Sequence, residues 1–116
     1  MIAKARTRRA APIREELVYR ALADETRRKI LALLAHGPRP AGEIAAAFPK
    51  ISRPAVSKHL SVLKDAALVT DHADGRERIY KLETGPLAEV STYIAQLDAM
   101  WSEAMNDLGK HLDRAE

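Results

Sequence analysis

The sequence predicts a mainly α domain with one small β-hairpin, and three observations carry that expectation. Apolar residues recur at helical spacing in four short segments between residues 14 and 66. An Asp74-Gly75 pair separates two short runs rich in β-branched and aromatic residues. From Pro86 to about Asp113 the apolar residues keep a 3,4 repeat without interruption.

The first helix is expected over Leu17, Val18, Ala21 and Leu22, ending before Asp24. Asp24 has the chemistry of an N-cap for a second helix that runs through Ile30, Leu31, Leu33 and Leu34 to His36, with Gly37 as a left-handed stop. Pro38 and Pro40 bracket a tight connection, and Ile44, Ala45 and Phe48 mark a short third helix ended by Pro49. Ser52 places a capping hydroxyl ahead of Arg53 and Pro54, and proline has no amide to lose in a first helical turn. The fourth helix therefore spans Ser52 to Ala66. Its apolar positions Val56, Leu60 and Leu63 leave Pro54, Ser57, Lys58, Ser61 and Lys64 on an outer face that is small, polar and cationic.

Leu68 to His72 and Arg78 to Leu82 then read as a two-stranded wing. Alternation with Glu77 and Ile79 would put Arg76 and Arg78 on one face of it. In the last segment Leu87, Val90, Ile94, Leu97, Trp101, Ala104 and Leu108 form a single seam. A helix of that length would reach about 42 Å at 1.5 Å per residue, more than a domain of this size covers with its own core. The surplus stripe calls for a second copy of the chain, with Leu87, Val90, Ile94, Leu97, Trp101 and Leu108 as the interface; Met100 and Met105 read as dimer core rather than a ligand box.

The chain has 116 residues, 47% apolar and 30% charged, with no cysteine, an ordinary composition for one globular domain. The lack of cysteine excludes disulfides, zinc ribbons, thiolate metal sensing and a thiol nucleophile. The longest purely apolar run, residues 30 to 35, is far below the roughly 20 residues that cross a bilayer, and no signal-peptide core is visible. The expectation is a cytoplasmic protein with no membrane partner. Residues 1 to 13 read as a flexible basic arm ahead of a domain over 14 to 116.

Charge is divided along the chain. Residues 1 to 85 carry 17 basic and 10 acidic groups, whereas residues 86 to 116 carry 2 and 6. A basic head joined to an acidic tail suits a protein whose head meets phosphate. The order of elements is that of a winged helix-turn-helix with a terminal dimerisation helix. A helix fits the major groove, small residues at its start allow close approach to base edges, and Lys and Ser reach phosphate or base acceptors. Arginines in the hairpin add backbone or minor-groove contacts. No Gly-rich phosphate loop, paired carboxylates or Ser/His/Asp set is visible, so an enzyme is not expected. Two other classes stay open: an effector-responsive sensor, and a winged-helix module that docks an acidic protein.

The segments ALADETRRKILALLAHGPRPAGEIAAAF, ISRPAVSKHLSVLKDAALV and DGRERIYKL resemble the ArsR/SmtB family of bacterial winged-helix repressors, over roughly residues 15 to 112. The resemblance implies a homodimer, built from the first and last helices, that binds double-stranded DNA at a near-palindromic operator. It implies that Ser52 and Arg53 contact phosphate or base edges, that Ser57, Lys58 and His59 enter the groove, and that Arg76 and Arg78 act from the wing. Pro54 and Ser61 complete the DNA-facing set on the outer face.

The departures from the family are equally specific. Glu43, Ile44, Ala45 and Ala46 stand where metal-sensing members place a thiolate pair. On the last helix Asp98, Met100, His111 and Arg114 keep two of four family ligands, too few to hold zinc. The chain is therefore similar to the cysteine-free, autorepressor-like branch, with no metal and no cofactor, and any small-molecule effector is unidentified. Ala67 stands where the family usually has Gly; left-handed backbone there would cost about 1–2 kcal/mol.

Overall fold

The computed structural model describes residues 15–115, with side chains through Leu112. The basic arm lies outside the described residues. In chain order the elements are α1 (residues 15–22), α2 (Glu25–Leu34), β1 (Arg39–Pro40), α3 (Ala41–Ala46), α4 (Arg53–Asp65), β2 (Val69–Asp74), β3 (Glu77–Leu82) and α5 (Gly85–Ala115). No helix among the described residues is long and apolar enough to cross a membrane. The described residues divide into two compact units, with the boundary between Pro86 and Leu87.

In the first unit α2 and α4 each start at a side-chain cap. The Asp24 carboxylate accepts from the Arg27 backbone N–H at 3.0 Å and opens α2. Ser52 Oγ accepts from the Ala55 N–H at 3.2 Å and opens α4, with proline in the first turn. The second helix ends at Leu34 rather than His36; two further residues turn the chain into Gly37, whose φ of +136° only glycine adopts freely. One apolar stripe from each element meets at the centre: Val18 and Ala21 of α1, Ile30, Leu31 and Leu34 of α2, Ile44 of α3, and Val56, Leu60 and Leu63 of α4, closed below by Leu68 and Val69. The buried positions of α4 are those that its 3,4 spacing assigns inward.

The sheet has three strands in the order β1-β3-β2, all antiparallel, where two strands were expected. Arg39 and Pro40 pair with Tyr80 and Ile79. The prolines that mark a connection in the sequence also permit a short edge strand, because an edge residue need not donate on its open side. The hairpin register pairs Asp74 with Glu77, so the turn residues are Gly75 and Arg76. Gly75 has φ +62°, and Ala67 is the only non-glycine with positive φ among the described residues. That leaves the type II′ pattern, with glycine at the first turn position. Arg76 thus sits in the turn, not on a strand face with Arg78, which corrects the alternation expected for the two arginines.

Ala67, at φ +58°, occupies the left-handed region just after α4. Left-handed backbone costs an alanine about 1–2 kcal/mol, while glycine gives back about 0.5–1 kcal/mol through its freer unfolded state. The first term wins, so Ala67→Gly is expected to stabilise the protein by up to about 1 kcal/mol, read as a rise of a few degrees in thermal midpoint. A lowered midpoint would contradict this.

The helix α5, which makes up the second unit and begins two residues before it, has 31 residues and is about 46 Å long. Leu87, Val90 and Leu97 are half-buried, while Ile94, Met100, Trp101, Met105, Leu108 and Leu112 are exposed.

Candidate nucleic-acid interface

The outer face of α4 is built by subtraction. Val56, Leu60 and Leu63 turn inward, so Arg53, Pro54, Ser57, Lys58 and Ser61 come to the surface together, all exposed. Ser52 accepts its capping bond and keeps its hydroxyl proton to donate elsewhere. Arg53, Lys58 and, in the hairpin turn, Arg76 form no ion pair among the described residues. Three exposed cations without internal counter-ions, two on a helix face with small residues between them and one in the hairpin turn, suit a surface that meets a polyanion.

His59 lies differently from its neighbours. Its side chain is only 20% exposed, and Nδ1 sits 3.2 Å from Arg27 Nη1 and 3.9 Å from Asp24 Oδ2. One edge of the ring therefore faces α2 instead of the open face of α4. The Asp24 carboxyl is held below its ordinary range, chiefly by the Arg27 backbone N–H.

The wing is fixed to α4 by a carboxylate. Asp71 on β2 is 5% exposed; its Oδ1 lies 2.9 Å from Lys64 Nζ of α4, and its Oδ2 accepts from Arg78 Nε of β3. Arg78, expected as a wing contact, thus has one nitrogen committed inside the protein, and Arg76 is the wing cation left unpaired. The Lys64 and Arg78 hydrogen bonds hold the Asp71 carboxyl below its ordinary, unfolded value. Its contribution to stability is complete above that unfolded value and is lost as pH falls through the lower folded value. Since Lys64 and Arg78 are half-exposed, the link is worth only about 1 kcal/mol. Asp71→Asn is expected to lose about that much at pH 7, with the gap to the parent protein closing as pH falls below the ordinary carboxylate range in urea titrations. A gap that does not change with pH would contradict the assignment.

Sequence reasoning missed Arg27 and Asp71 as organisers of this surface. Both act across distance, Arg27 reaching a residue 32 positions away, and local spacing carries no sign of that. The interface residues proposed on α5 share one continuous helix, with Ile94, Trp101 and Leu108 more than half exposed.

Comparison with known proteins agrees with this geometry. A helix-turn-helix domain family matches residues 22–72, the span from the end of α1 into β2. The HTH-type transcriptional regulator Rv2034 of Mycobacterium tuberculosis is 46% identical over 95 residues, 82% of this chain and 85% of that protein. The transcriptional repressor SdpR of Bacillus subtilis is 46% identical over 72 residues, 62% of this chain and 79% of that protein. The crystal structure of an ArsR family transcriptional regulator superposes with a TM-score of 0.72 at 32% identity, covering 78% of this chain and 93% of that one. With α4, the hairpin and these relatives in agreement, the chain belongs to the ArsR/SmtB family and is a DNA-binding transcriptional regulator.

Proposed function

We propose that the protein is a cytoplasmic, homodimeric repressor that places two copies of α4 in successive major grooves of a near-palindromic operator. The observation that carries this reading is the α4 face itself, where Arg53, Ser57, Lys58 and Ser61 are exposed together and the cations lack internal partners. Arg76 at the tip of the hairpin extends the cationic track beyond the groove. The apolar stripe of α5 supplies the contact between protomers, and two-fold symmetry then sets the reading helices about 34 Å apart, one turn of B-DNA. Occupation of a promoter by such a dimer blocks it without any cofactor.

The test uses duplex DNA selected from genomic fragments by the protein. Lys58→Ala and Arg76→Ala are each expected to weaken binding roughly ten- to hundredfold while sedimentation shows an unaltered dimer. Gel shifts unchanged in both variants would remove this surface from the mechanism.

A further inference from the structure

Arg27 joins three helices through one guanidinium. Nε donates to the Ala21 carbonyl at 2.9 Å and Nη2 to the Arg20 carbonyl at 2.9 Å, closing the C-terminal end of α1. Its backbone N–H donates to the cap of its own helix, Asp24. Nη1 lies 3.2 Å from His59 Nδ1 on α4.

A guanidinium has donors and no acceptor, so in the last contact the imidazole nitrogen must accept. Nδ1 then carries no proton, and the neutral ring holds its proton on Nε2. Asp24 Oδ2 would favour the opposite tautomer, yet at 3.9 Å from Nδ1 it is beyond hydrogen-bond distance, and it already accepts from the Arg27 N–H. The nearer group decides. His59 Nε2 has no partner among the described residues, and it is not sealed from solvent, since the one buried unpartnered side-chain nitrogen or oxygen among those residues is Arg39 Nε. The accessible edge of the ring is therefore an N–H donor on the helix proposed to enter the groove.

We propose that Arg27 is a positioning residue for DNA reading: it fixes His59 as the Nε2–H tautomer and ties α4 to the end of α1, so that His59 presents a donor to an acceptor atom on the duplex. This rests on the reading of α4 as the DNA-reading helix. The acceptor is a base-edge atom such as guanine O6 or N7, or a phosphate oxygen. Arg27 itself touches no DNA in this scheme, and its effect is transmitted through the orientation and protonation site of the ring.

The test has two independent parts. Long-range proton–nitrogen NMR of the free protein at neutral pH is expected to show His59 with an unprotonated Nδ1 and a protonated Nε2, and Arg27→Ala is expected to yield a mixture of tautomers. A His59 that is Nδ1-protonated in the parent protein would overturn the proposal, whatever the variant does.

Binding is then measured on a selected duplex and on a shuffled one, for Arg27→Ala, His59→Phe and the double variant. His59→Phe keeps a flat ring and removes the donor. Each single variant is expected to lose roughly ten- to hundredfold on the selected duplex, and the double variant no more than His59→Phe alone, because both changes remove the same contact. A loss confined to the selected duplex identifies a base acceptor; an equal loss on both duplexes identifies phosphate. Additive losses, or single variants that bind like the parent, would overturn the proposal. If the parent protein binds neither duplex, the reading of α4 fails instead, and the NMR result separates the two failures.

Discussion

The double variant Trp101→Ala, Leu108→Ala is expected to convert the proposed dimer to a monomer at micromolar concentration. Both side chains lie on the stripe of α5 and are 68% and 53% exposed in the single chain. Covering a large apolar side chain is worth about 1.5–3 kcal/mol. An isologous interface uses each residue twice, so two truncations remove four side chains. Even at the low end the loss is about 6 kcal/mol, or roughly ten-thousandfold in the dimer constant. Neither residue belongs to the buried core of the first unit, so its thermal unfolding should persist. Sedimentation equilibrium checks the assembly. A dimer constant within a few fold of the parent value would show that the stripe serves something else.

The second large effect is electrostatic. Arg53, Lys58 and Arg76 of two protomers bring six cations to the proposed interface, each without an ion-pair partner among the described residues. If each neutralises one phosphate, the slope of log K against log salt is about −5, and affinity falls about a thousandfold between 50 and 200 mM salt. Lys58→Ala removes one cation per protomer and is expected to flatten the slope by about 2. Anisotropy titrations over a salt series check both values. A salt-independent affinity would place the protein on DNA by other means, whereas an unchanged slope in the variant would move Lys58 from phosphate to a base edge.

Much of this architecture was legible in the sequence because its causes are local. Asp24 and Ser52 cap the helices they precede, proline sits in the first turn of α4, and Gly75 opens the hairpin turn, although Asp74 closes β2 instead of joining the turn. Each of those signals acts within about four residues. The seam of α5 is equally plain, since its period is written directly in the chain. What the sequence hid depends on partners brought together by the fold. A strand as short as β1 has no period of its own and exists only because β3 offers an edge. The clamp of Asp71 between Lys64 and Arg78 joins α4 to the wing. Arg27 looks in the sequence like one more surface cation in a run with Arg28 and Lys29. Its role appears only when α1 and α4 stand on either side of it. His59 shows the same division: its place on α4 was readable, and the inward turn of Nδ1 was not. Ala67 lies between the two cases, suspected from the glycine usual in the family and decided by its positive φ.

The central claim is that two copies of α4, held by one dimer, read two grooves of the same face of DNA. Hydroxyl-radical footprinting of the parent protein on a selected duplex tests it most directly. The account predicts two protected segments related by two-fold symmetry, their centres about 34 Å or 10–10.5 base pairs apart. One isolated protected segment, or no protection at low salt, would contradict it.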